Sequence, residues 1–112
     1  MNKLFSFILA GTAALFSCSA TCFAQDFIID VRSPAEYESG HAENSINIVF
    51  SDIVKGVTEN DIKKDDTIYV YCLSGKRAER AKNSLNNAGY QNVINLGGYE
   101  DAVVYFKEHP VK

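Results

Sequence analysis

The chain has 112 residues and a net charge of −3 at neutral pH, which is enough for one small domain with one core and not for two. Eleven Lys and Arg against fourteen Asp and Glu, with no basic stripe interleaved with aromatics, exclude nucleic-acid binding through general electrostatics.

Residues 1–24 read as an export signal. Asn2 and Lys3 give a basic start, Leu4 to Phe16 is mostly apolar, and Ser17 to Ala24 is small and uncharged apart from Phe23. Ser6, Gly11, Thr12 and Ser17 break the apolar run, which stays short of the ~20 residues a spanning helix needs, so no stable membrane insertion is expected. Cleavage after Ala24 sends a domain of residues 25–112 to the periplasm. The alternative is a lipoprotein, because Leu15-Phe16-Ser17-Cys18 loosely resembles a lipid-attachment box, and a tether would then sit on Cys18. Taking 24 from 112 leaves 88 residues, and losing Lys3 makes the net charge −4.

Phe27-Ile28-Ile29-Asp30-Val31 is an apolar run of strand length. Ser33-Pro34-Ala35-Glu36 then opens a helix: Ser33 caps, Pro34 suits the first helical position, Glu36 closes a capping box, and Gly40 ends the turn in a left-handed conformation. Ile46-Asn47-Ile48-Val49 reads as a second strand. Phe50, Ile53, Val54 and Val57 follow at helical spacing, with Gly56 as a breaker. A polar stretch from Thr58 to Asp66 leads into the strand Ile68-Tyr69-Val70-Tyr71-Cys72. Ala78, Ala81, Leu85 and Ala88 then mark the apolar face of an amphipathic helix that Gly89 ends. Val93-Ile94-Asn95-Leu96 is a further strand, Gly97-Gly98 a turn, and Tyr99 to Glu108 a last helix containing Ala102, Val103 and Phe106. Strands alternating with helices predict an α/β domain, a mostly parallel sheet with helices on both faces and sites at the C-terminal strand ends.

Cys72 occupies one such end and is followed at once by Leu73-Ser74-Gly75-Lys76-Arg77. A short strand-to-helix loop aims successive amides and the positive helix end at one point, where a thiolate is stabilised. Lys76 and Arg77 add two positive charges that attract both the ionised sulfur and a small anionic substrate. Of three cysteines, Cys18 and Cys22 fall in the expected signal, so Cys72 is left without an internal disulfide partner. A reactive thiol is preferred here to a buried, inert one.

Taken together, Asp30-Val31-Arg32-Ser33-Pro34-Ala35-Glu36-Tyr37 with Gly40-His41 and Ser45-Ile46-Asn47-Ile48, then Val70-Tyr71-Cys72 with Gly75 and Arg77, then Leu96-Gly97-Gly98-Tyr99, resemble the rhodanese-like sulfurtransferases. Within that family the chain looks most like the short periplasmic phage-shock-type thiosulfate sulfurtransferases. It departs in having Ala42-Glu43-Asn44 where members often carry a proline-glycine pair, and Val103-Val104 before Tyr105 where they carry an aromatic. The N-terminal strand of longer members also has no counterpart, which leaves one sheet edge less protected.

The resemblance implies a persulfide on Cys72, formed from thiosulfate or a similar small anionic donor and passed to a thiol or cyanide, with Leu73, Ser74, Gly75, Lys76 and Arg77 as the substrate loop. No metal or organic cofactor is needed, and a monomer is expected. His41 is read as structural, and Asp30, Arg32 and Glu36 as carboxylate and guanidinium groups that brace the strand end. The alternatives are a persulfide relay or binding module without multiple turnover, and a cysteine phosphatase or arsenate reductase. Those enzymes place five residues between Cys and Arg, whereas four separate Cys72 from Arg77.

Overall fold

The computed structural model describes residues 24–110. Apart from Ala24, the expected signal and the Cys18 alternative lie outside the described residues. In chain order the elements are β1 (Asp26–Asp30), α1 (Pro34–Ser39), β2 (Ser45–Asn47), a 3-10 turn (Phe50–Asp52) running into α2 (Ile53–Glu59), β3 (Thr67–Cys72), α3 (Lys76–Asn87), β4 (Asn92–Gly98) and α4 (Tyr99–Glu108).

All strand pairs are parallel and the sheet order is β2-β1-β3-β4. The chain thus adds β2 on one side of β1 and then crosses to place β3 on the other. That reversal lies between β1 and β3, where Asp30 pairs with Tyr71, and it opens the crevice in which α/β sheets place ligands. Cys72 is the next residue.

Both faces of the sheet are covered, as expected. On one face Ile29, Val31, Ile68, Val70 and Cys72 pack with Ile53 and Val57 of α2 and Ala78, Ala81 and Leu85 of α3. On the other, Ile28 and Tyr71 pack with Ala42 and with Ala102 and Phe106 of α4. A helix of 12 residues such as α3 is marginal alone in water, so burial of its Ala78, Ala81 and Leu85 stripe holds it. A buried Leu contributes about 1.5–3 kcal/mol to this packing.

Local chemistry explains the entry to α1. Ser33 Oγ accepts the Glu36 amide at 3.3 Å, and the Ser33 amide donates to Glu36 Oε1 at 3.1 Å, closing the predicted capping box. Gly40 ends that helix at φ +152, ψ +136, a positive-φ conformation that favours glycine but not the helical left-handed one anticipated. Gly56 is not a breaker: it lies inside α2, buried, where an added Cβ would run into the Ile48 side chain. Periodicity reads a glycine only along its own helix, whereas this one answers to a neighbouring segment. Gly97 and Gly98 belong to β4 and are not a turn, and Val103 of α4 is partly exposed at 39 %.

Candidate active site

The Cys72 side chain is enclosed by backbone amides. Gly75 takes a left-handed conformation, φ +97 and ψ −14, and donates its N–H to Sγ at 2.9 Å. Lys76 starts α3, so the amides of Arg77 and Ala78 belong to its first turn, where N–H groups have no partner inside the helix. Burial pushes the Cys72 thiol up, but the amides of Ala78, Ser74, Gly75 and Arg77 together outweigh it and hold its pKa below the ordinary value of 9.0. Cys72 is fully buried among core residues, while Leu73 and Ser74 are exposed. Burial and amide stabilisation, set against each other in the sequence reading, occur together because the amides supply the polar environment that solvent does not.

The loop lies on the end of β4. Gly98 sits opposite Cys72 after an irregularity in the β3–β4 register, and a Cβ on Gly98 would be 2.5 Å from the Leu73 carbonyl oxygen. Asn95 Nδ2 donates to the Gly75 carbonyl at 3.1 Å and to Glu79 Oε1 at 3.0 Å, and its Oδ1 accepts the Gly97 amide at 2.8 Å. A cavity of about 260 Å³ adjoins this seam, lined by Leu73, Gly98, Tyr99, Glu100 and Asp101.

The two loop cations have different surroundings. Lys76 is exposed. Arg77 forms a fork with Glu36, Nη1 to Oε1 at 2.9 Å and Nη2 to Oε2 at 3.1 Å. The Arg77 guanidinium, helped by the Ser33 amide, lowers the Glu36 carboxyl from 4.5 to about 2. In return Glu36 raises the Arg77 pKa, with a smaller contribution from Cys72. Asp30 and Arg32 form a second, buried pair: Arg32 Nη2 reaches Asp30 Oδ2 at 2.7 Å and the Gly40 carbonyl at 2.6 Å, and its guanidinium lies 4.7 Å from the Tyr99 ring centroid. His41 is exposed, bonds the Tyr37 carbonyl through Nδ1 at 2.8 Å and stacks on the Tyr37 ring.

The profile of the rhodanese-like domain matches residues 18–103. The chain belongs to the rhodanese-like domain family. It is 36% identical over 93 residues to the thiosulfate sulfurtransferase PspE of Escherichia coli, covering 83% of this chain and 88% of that one. It is 35% identical over 69 residues to the putative sulfur carrier protein YrkF of Bacillus subtilis, covering 62% of this chain and 36% of that one. Among solved structures it is similar to a rhodanese with anions from E. coli, with TM-score 0.65 and 36% identity over 68% of this chain and 89% of that one.

In this rhodanese-like domain the amides of Ser74, Gly75 and Arg77 act on the Cys72 sulfur together with that of Ala78, which the sequence reading did not name, whereas Leu73 and Lys76 are exposed and His41 bonds back to Tyr37 of α1. Asp30 and Arg32 pair as read from the sequence, whereas Glu36 reaches across to Arg77. The sequence reading missed that cross-link and missed Asn95. Glu36 was visible only as a capping residue, and Asn95 carried no signal beyond being the one polar residue in Val93-Ile94-Asn95-Leu96. Among the described residues no cluster of His, Cys, Asp and Glu could hold a metal ion, and no helix is long and apolar enough to cross a membrane.

Proposed function

We propose that the protein is a sulfurtransferase that moves sulfane sulfur from thiosulfate, or a similar anionic donor, to a thiophilic acceptor through a persulfide on Cys72. The observation that carries this reading is the ring of loop amides on a sulfur of lowered pKa, with the Gly75 N–H at 2.9 Å from Sγ. In the first step the Cys72 thiolate attacks the outer sulfur of thiosulfate. A new S–S bond forms, the donor's S–S bond breaks, and sulfite leaves with the bonding pair. In the second step cyanide or a thiolate attacks the outer sulfur of the persulfide anion, forms its own bond to that sulfur and returns the Cys72 thiolate. Covalent storage splits one transfer into two easier ones.

The loop amides stabilise the anion at each stage, and Lys76, exposed on the loop, offsets the donor's charge. Arg77 divides its charge between Glu36 and the sulfur. Only four residues separate Cys72 from Arg77, and this tighter ring favours a sulfur adduct over the phosphate of a phosphatase.

Mass spectrometry of the purified protein after thiosulfate treatment should find one added sulfur atom on Cys72, and Cys72→Ser should abolish both the adduct and transfer to cyanide. Residual transfer near wild type in Cys72→Ser would refute the nucleophile. A relay without multiple turnover is a second reading, favoured by the full burial of Cys72 and by the likeness to a putative sulfur carrier. Steady-state turnover of free thiosulfate and cyanide separates the two. We also propose that residues 1–24 are a cleaved export signal and that residues 25–112 act in the periplasm.

A further inference from the structure

We propose that Asn95 is a positioning residue for the Cys72 sulfur, acting through Gly75. The inference rests on the reading of Cys72 as a thiolate nucleophile. Gly75 is turned so that its N–H faces Sγ at 2.9 Å while its carbonyl faces away, toward the Glu79 amide at 2.9 Å and Asn95 Nδ2 at 3.1 Å. Glycine has the widest backbone freedom of any residue, so the direction of this N–H depends on what grips the peptide units around it.

Across the seam lies the backbone of Gly97, whose Cα would be 3.3 Å from a Cβ on Gly75, so two glycines meet there with no side chains of their own to interlock. Asn95 supplies the interlock. Its Oδ1 holds the Gly97 amide and its Nδ2 holds the Gly75 carbonyl, and the second Nδ2 hydrogen goes to Glu79 Oε1. Donor and acceptor ends each face their complement, so the orientation of the side-chain amide is fixed by its partners. A hydrogen bond weakens steeply as it is misaligned, so release of Gly75 acts directly on the anion that its amide stabilises.

The experiment follows the ultraviolet absorbance of the Cys72 thiolate against pH, taken as a difference from Cys72→Ser, in the wild type, Asn95→Ala and Asn95→Asp. Aspartate keeps an acceptor for the Gly97 amide while removing the donor to Gly75, which guards against a variant that merely fails to fold. The expected result is an alkaline displacement of the titration in both variants, by about half to one pKa unit in Asn95→Ala, or roughly three- to tenfold less thiolate below the pKa. Thermal midpoints recorded alongside separate this from simple loss of stability. An Asn95→Ala titration superimposable on that of the wild type, whatever the thermal midpoints, overturns the role of Asn95, because Asn95→Asp also adds a carboxylate that displaces the titration by charge alone. A wild-type thiol that itself titrates at or above the ordinary value brings down the thiolate reading as well.

Discussion

The nearby loop and helix amides hold the Cys72 thiol below its ordinary value, so the acidic limb of the activity profile should lie below that value, and a limb at or above it would contradict this stabilisation. Tyr71, the residue before Cys72, is fully buried and burial pushes its hydroxyl up to about 12. That hydroxyl accepts the Ala42 amide at 2.9 Å. Tyr71→Phe would leave a buried N–H without an acceptor, so a loss of about 1–3 kcal/mol is expected in urea unfolding. No measurable loss would mean that water or a shifted backbone takes the place of the hydroxyl. Cys72 and its loop were legible in the sequence because strand, thiol, glycine and cations are consecutive. The Tyr71–Ala42 bond spans 29 positions and carries no local mark.

At the scale of elements, the fork between Glu36 and Arg77 fastens α1 to the first turn of α3. Glu36 has a folded pKa near 2 against an ordinary 4.5, so its folded form binds protons less readily than the unfolded chain. The stabilisation is therefore complete above about pH 4.5 and disappears as pH falls toward 2. Urea midpoints of the wild type and Glu36→Gln should differ by a constant amount above that window and converge below it. A difference that does not shrink as pH falls through this window would mean that the ion pair is not its source, since Gln at this position still accepts the Ser33 amide. The sequence displayed Glu36 as a cap because Ser33 is three residues away. Its partner Arg77 lies 41 positions on, and only the packed sheet reveals the pair. Gly56 failed as a breaker for the same reason, its meaning lying in Ile48 on another segment.

For the whole molecule, alternation of apolar runs and amphipathic stretches was enough to give a parallel sheet covered on both faces, since each run is too short to be anything but a strand or one helix. The order β2-β1-β3-β4 was not legible, because any of several arrangements buries the same residues. The proposed processing belongs at this scale: intact mass of the exported protein should correspond to a chain beginning at Gln25, and a lipid-bearing mass starting at Cys18 would replace cleavage with tethering.

Strand β3 is bonded on both sides, to β1 and to β4, and Cys72 is its last residue. The proposed nucleophile is thereby rooted in a central strand, whose amides are expected to exchange with deuterium only on global opening. Heat should consequently extinguish reactivity and dismantle the domain at one temperature, with no inactive yet folded intermediate in between.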